Sequence, residues 1–227
     1  MARLDLAEMS LREVNGALQA LDGGVTDLDW RVVNPQGAHS VAVGLTAPIK
    51  LTVEGHVGFY CGGMNQNAEI RVEGHAGPGL AENMMSGSVR VTGNASQMAG
   101  ATGHGGLLVV EGDTSSRCGI SMKGIDIVVK GSVGHMSAFM AQKGHLVVCG
   151  DAGRDLGDSI YEAVLYVRGT VESLGADCIE KEMTPEHRET LAGLLAAAGV
   201  EADPAEFRRY GSARKLYNFN IDNLSVY

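Results

Sequence analysis

His56 and His75 stand 19 residues apart, and Cys61 and Cys118 stand three times that interval apart. These are the first pairs in the chain whose residue types could do chemistry. If the chain repeats every 19 residues, each pair occupies one position of the repeat. Stacked histidines about 5 Å apart could share a metal ion. The same column continues as Asn94, Asp113, Ser132, Asp151 and Thr170, so it also reads as a plain outward polar column. The two cysteines would lie about 14 Å apart, too far for a disulfide, and read as small core residues. Cys178, in Gly175-Ala176-Asp177-Cys178 before Glu180-Lys181-Glu182, could be a nucleophilic thiol, but no base stands near it in sequence; the alternative is a structural exit from the repeat. The run Gly100-Ala101-Thr102-Gly103-His104-Gly105-Gly106 looks like a phosphate cradle. It lacks the Lys-Ser/Thr and following helix of a P-loop. Its Gly100, Gly103, His104, Gly105 and Gly106 are candidates for close approach to a partner or for flanking a small-molecule channel. Finally, Arg208, Arg209, Tyr210, Arg214, Lys215, Tyr217 and Phe219 form a basic, aromatic island in an acidic chain. Arg and Tyr are common interface anchors, so this is a candidate partner-binding arm, with a solvated tail as the alternative.

The elements that must position these residues follow from the repeat. Val-x-Gly recurs with its glycine at Gly55, Gly74, Gly93, Gly112, Gly131, Gly150 and Gly169, every 19 residues, without an insertion. Two residues before each valine stands an aliphatic: Leu51, Ile70, Val89, Leu108, Ile127, Leu146, Leu165. The residue between is polar or variable: Thr52, Arg71, Arg90, Val109, Val128, Val147, Tyr166. This in–out alternation is a short strand with one buried face, ending at a glycine corner. Small residues return three and seven positions after the corner, as at Gly58 and Gly62, where the chain must turn through unusual dihedrals or pass close to another backbone. The period lacks the leucine–asparagine ladder of a leucine-rich horseshoe, and it is not the 18 of a left-handed hexapeptide helix. The expectation is all-β: a right-handed parallel β-helix of about seven 19-residue coils with short terminal helices.

Composition agrees. Of 227 residues 44% are hydrophobic, 5% aromatic and 32 are glycine, which suits a core of stacked aliphatic and small residues. The net charge of −9 argues against nucleic acid or an anionic membrane as partner. There is no long apolar span and no apolar signal core, and the four cysteines are scattered without a CxxC pair, which points to a reduced, cytoplasmic chain without a zinc site of its own. Residues 1–34 are expected to be an N-terminal helix and cap, 35–178 the β-helix, and 179–227 C-terminal helices and an extended arm. Ser10 and Glu13 form a capping box for a helix ending at Gly23-Gly24. Thr184-Pro185 opens a second helix, with His187, Leu191, Leu194 and Ala198 as its stripe and Gly199 closing it. Asp203-Pro204 is expected to start a third helix reaching about Tyr210.

The repeated Val-x-Gly corners, with small residues three and seven positions later over about 49–176, resemble the GXGXG domain, the β-helix at the C-terminal end of the glutamate synthase large subunit. A looser likeness is to the C-type subunit of formylmethanofuran dehydrogenase. The segments Gly175-Ala176-Asp177-Cys178-Ile179-Glu180-Lys181-Glu182-Met183 and Arg208-Arg209-Tyr210-Gly211-Ser212-Ala213-Arg214-Lys215-Leu216-Tyr217-Asn218-Phe219 are similar to the stand-alone GXGXG subunit of three-subunit glutamate-synthase-like enzymes. That group includes the GXGXG subunit of N-methylglutamate synthase (methylamine–glutamate N-methyltransferase). The resemblance implies a non-catalytic assembly subunit. It would hold a class II glutamine amidotransferase-like subunit and a subunit carrying FMN and an iron–sulfur cluster, and would flank a route for ammonia or methylamine. It implies no catalytic, cofactor or metal residue in this chain. An independent β-helix acyltransferase and a partnerless scaffold are the other readings.

Overall fold

The computed structural model describes residues 2–26 and 28–215. The chain builds β1 (Ala2–Asp5), α1 (Leu11–Gln19), β2 (Asp29–Val33), β3 (Lys50–Glu54), β4 (Glu69–Val72), β5 (Ser88–Val91), β6 (Leu107–Val110), β7 (Lys123–Val129), β8 (Lys143–Val148), β9 (Val164–Val167), β10 (Cys178–Lys181), α2 (Pro185–Ala198), a 3-10 turn (Pro204–Glu206) and β11 (Arg208–Ser212). All eleven strands form one sheet in the order β1-β2-β3-β4-β5-β6-β7-β8-β9-β11-β10. From β3 to β9 the strands pair in parallel, Leu51 on Ile70, Ile70 on Val89, and so on to Leu146 on Leu165. This is a parallel β-solenoid in which the seven expected coils carry β3 to β9.

The columns Leu51–Leu165 and Val53–Val167 are buried on the inner face throughout. Each such side chain contributes about 1.5–3 kcal/mol on burial. No coil has a core of its own, so the stack is stable only as a whole. A second wall is held by single parallel bridges, among them Val57 to Ala76 and Ala76 to Ala95.

From Gly74 on, the corner glycines are required by close approach, whereas Gly55 is required by its backbone conformation, φ 135°. A Cβ on Gly74 would lie 2.7 Å from the carbonyl oxygen of Gly55. Successive corners are joined directly, the N–H of Gly93 donating to Gly74 O at 2.9 Å and that of Gly150 to Gly131 O at 2.8 Å.

Most of the unusual dihedrals belong to the third wall. Alternate residues there are left-handed, and few are glycine: Tyr60 (φ 62°), Gly62 (φ 66°) and Met64 (φ 55°) in one coil, Arg117 (φ 60°), Gly119 (φ 69°) and Ser121 (φ 50°) three coils on. Each such non-glycine costs about 1–2 kcal/mol. The conformation turns the N–H groups of these alternate residues first to the next coil, then to the previous one, and back. Tyr60 N donates to Pro78 O at 2.9 Å, Gly62 N to Val41 O at 3.0 Å and Met64 N to Glu82 O at 2.8 Å. The ladder leaves these backbone groups paired, which offsets the strain. The last coil is one residue short, Leu174 pairing with Leu156, so Ala176 does not repeat the left-handed position of Gly157; Asp177 (φ 65°) takes that of Ser159.

Both ends depart from expectation. Within 1–34, β1 and β2 extend the sheet in parallel beyond β3. The capping box of Ser10 and Glu13 is present, but α1 ends at Ala20, whose N–H closes onto Gly16 and Leu18 carbonyls, before Gly23-Gly24. Val14 and Leu18 of α1 enter the solenoid core, and Asn15 ties the helix to the first turn by donating to Ser40 O at 2.7 Å and accepting from Ala42 N at 2.9 Å. At the other end no third helix reaches Tyr210: after the 3-10 turn Phe207 is buried in an outer apolar cluster, and β11 pairs antiparallel with both β9 and β10. The open edge of β9 supplies unpaired donors and acceptors, and pairing there outweighs the helix-start signal of Asp203-Pro204.

Helix α2 is capped by Thr184 and closed by Gly199 in the left-handed region, φ 64°. Its buried face is Leu191, Leu195 and Ala198, packed with Val109, Val128, Val147, Cys149 and Tyr166 on the outer face of the sheet, while Leu194 is only partly buried. The outward positions change from Thr52, Arg71 and Arg90 to Val109, Val128, Val147 and Tyr166 because α2 covers only the later coils. At its C-terminal end Arg90 donates to Ala198 O at 3.0 Å and Lys130 to Gly199 O at 3.3 Å, cations where the helix dipole favours them.

Candidate functional site

The polar column after the corner glycines is a ladder of hydrogen-bond acceptors. The backbone N–H of His75 donates to His56 Nδ1 at 2.9 Å, Asn94 N to His75 Nδ1 at 2.9 Å and Asp113 N to Asn94 Oδ1 at 3.0 Å. Ser132 N then donates to Asp113 Oδ1 at 2.8 Å, Asp151 N to Ser132 Oγ at 3.0 Å and Thr170 N to Asp151 Oδ1 at 2.6 Å. His56 and His75 do stack, with ring centroids 5.0 Å apart. Their Nδ1 atoms are occupied by the backbone, which leaves only Nε2 facing outward. Several residue types fill one role because the role needs only an acceptor at the right height.

Burial raises all four thiols. Burial pushes Cys61 and Cys118 up to about 12, and Cys178 likewise, with the carboxylates of Asp177 and Asp158 adding to the effect. Cys149 is raised as well, again by burial. All four are free cysteines. A thiol that stays protonated is a poor nucleophile and a poor metal ligand. Among the described residues no three His, Cys, Asp or Glu side chains gather to hold a metal.

The glycine-rich stretch 100–106 is a turn of the solenoid packed against its own coils. A Cβ on Gly103 would lie 2.9 Å from Ile125 side-chain carbons, one on Gly100 2.5 Å from Ile127 Cδ1, and one on Gly106 2.5 Å from Met84 Cε. Gly105 approaches the Met85 carbonyl, with a Cβ 2.7 Å away. His104 alone in this stretch is exposed.

Of the basic, aromatic island, Arg208, Arg209 and Tyr210 form the start of β11. Tyr210 is buried, Arg208 lies over its ring at 5.9 Å and donates to Gly169 O at 2.7 Å. Arg214 reaches Glu162 at 2.7 Å, and Lys215 N donates to Asp177 Oδ1 at 3.0 Å. These residues close the C-terminal end of the solenoid. Tyr217 and Phe219 lie outside the described residues.

Sequence reasoning did not find a polar seam between α2 and the sheet. His145 Nδ1 pairs with Asp126 Oδ1 at 2.7 Å, and its ring stacks 6.2 Å from that of Tyr166. Burial pushes the Tyr166 phenol up to about 12. Arg209, the cross-strand neighbour of Tyr166, contacts His187 Nε2 at 2.5 Å. The one sequence signal that could have pointed to it is the 19-residue spacing of Asp126 and His145; the rest comes from separate elements.

No described helix is long and apolar enough to cross a membrane. Comparison with known families finds no family profile that matches the chain. A full-length relative does exist: Protein GlxC of Rhizobium meliloti (strain 1021) is 63% identical over 228 residues, covering 100% of each chain.

Proposed function

Since the chain belongs to the family of Protein GlxC, we propose that it is the non-catalytic assembly subunit of a glutamate-synthase-like complex, with N-methylglutamate synthase as the favoured activity (methylamine plus L-glutamate giving N-methyl-L-glutamate and ammonia). The observation that carries this reading is the use made of the polar groups. From His56 to Asp151 the column that could have done chemistry instead accepts hydrogen bonds from the next coil's backbone. The buried thiols point the same way. A stack bonded at every coil is a stiff spacer, suited to keeping an amidotransferase-like subunit and an FMN and iron–sulfur subunit in fixed relation. Ammonia or methylamine released at one site must reach the other without loss to water, and a rigid spacer serves that need. The candidate loop then takes part through exposed His104, since its glycines face their own core.

The test is a pull-down of the tagged chain from its native host, with an absorbance spectrum and mass identification of the companions. A flavin spectrum with an amidotransferase-like and an FMN-domain chain supports the proposal. Methylamine- and ammonia-dependent turnover of that complex then separates N-methylglutamate synthase from glutamate synthase. A colourless, lone protein at native expression would overturn it.

A further inference from the structure

His187 sits in the first turn of α2 between two partners. Arg209 of β11 contacts its Nε2 at 2.5 Å, and Thr184, the N-cap residue, contacts its Nδ1 at 2.5 Å. A guanidinium can only donate, so Nε2 accepts and the ring proton is on Nδ1, donated to Thr184 Oγ1. One imidazole thus joins the helix cap to the last-paired strands of the sheet. A proton on Nε2 would set N–H against N–H and end the contact with Arg209.

We propose that His187 is a pH-operated latch: the neutral ring holds the N-terminal half of α2 on the sheet, and protonation at Nε2 releases it, uncovering Tyr166. The charged groups around the ring favour the neutral form. Arg209 faces it from β11, Lys181 from β10 and His145 from β8, itself paired with Asp126 of β7, while Glu186 of α2 is the single opposing carboxylate among those acting on it. Desolvation first, then Arg209, holds the ring below its ordinary 6.5. The closed state binds the proton less tightly than the open one. The closed state's advantage is therefore full above 6.5 and falls as pH drops below it. Opening becomes roughly tenfold easier per pH unit until the closed form also titrates. The C-terminal half stays docked through Arg90 and Lys130 on the last carbonyls, so the motion is a lift of one end.

Hydrogen exchange of the full chain, read on peptides covering 185–195 at pH 7.5 and 5.0 and corrected for intrinsic exchange, tests this. Opening of α2 should rise by up to about 30-fold in the wild type. It should be nearly flat in His187→Gln, whose amide can donate to Thr184 and accept from Arg209 at any pH. Arg209→Met, which lets the closed form titrate closer to 6.5, should shrink the response. Nitrogen NMR at pH 7.5 should show the Nδ1–H tautomer of His187. An Nε2–H tautomer, or the same pH response in all three proteins, overturns the proposal.

Discussion

Replacing Gly131 with alanine tests the physical reason for the repeat. The new Cβ would lie 2.2 Å from Asp113 Oδ1, 2.8 Å from Gly112 O and 2.9 Å from Gly112 C. The carboxylate can swing away, but it then abandons the N–H of Ser132, bonded at 2.8 Å. That loss at an exposed site is about 1 kcal/mol. The backbone of the preceding coil cannot swing away. Overpacking against it costs about 1–3 kcal/mol. Alanine also reduces the freedom of the unfolded chain, which returns about 0.4–1 kcal/mol. The net expectation is a destabilisation of about 2 kcal/mol, read as a lower urea midpoint by far-ultraviolet circular dichroism with an unchanged slope. Asp113→Ala alone should cost about 1 kcal/mol. In that background Gly131→Ala should lose only the side-chain part of its penalty, because the contacts to Gly112 persist. A Gly131→Ala protein within about 0.5 kcal/mol of wild type would refute the claim that close approach, and not turn geometry, dictates glycine at the corner.

Three further outcomes follow from the same structure. His75→Asn should fold with near wild-type stability, since Asn94 does the same work one coil later, whereas His75→Leu should lose about 1 kcal/mol in the same urea assay. A thiol reagent at pH 8 should leave Cys61, Cys118 and Cys178 unlabelled in the native protein and label all four cysteines in urea, because burial holds those three thiols at about 12. Glu111 lies between Arg90 and Lys130; desolvation pushes its carboxyl up, but the hydrogen bonds and charges of Lys130 and Arg90 prevail and hold it below 4.5. Its contribution is therefore full above 4.5 and is lost as pH falls through the lower folded value. Glu111→Gln should flatten stability across that acid range, and a wild-type-like acid profile in that variant would contradict the assignment.

The strands and corners were legible because each coil repeats the same physical problem. Leu51 and Val53 face inward for the reason that Leu165 and Val167 do, and a 19-residue count finds them all. The strands β1 and β2 escaped that count, since Trp30 pairs with Leu51 at a different spacing and α1 interrupts the chain between them. The left-handed wall was hidden for another reason. Positive φ is expected at glycine, yet inter-coil bonding imposes it on Tyr60, Met64 and Arg117. The docking place of α2 was written in Val109, Val128 and Val147, three outward valines where earlier coils carry Thr52, Arg71 and Arg90, but reading it required knowing that the helix lies on that face. Arg208 to Tyr210 looked like an arm because charge and aromatic content do not reveal β-pairing with β9 and β10. The seam of Asp126, His145, Tyr166, His187 and Arg209 draws on four strands and a helix, so no local window of sequence contains it.

Size-exclusion chromatography of the purified subunits tests whether this chain joins two others as proposed. The amidotransferase-like and FMN-domain chains of the same host should elute apart when mixed alone and shift into one flavin-coloured peak when the β-solenoid is added. Co-elution of those two chains without it, or a three-chain mixture that leaves the β-solenoid as a separate colourless peak, would show that the β-solenoid does not join them.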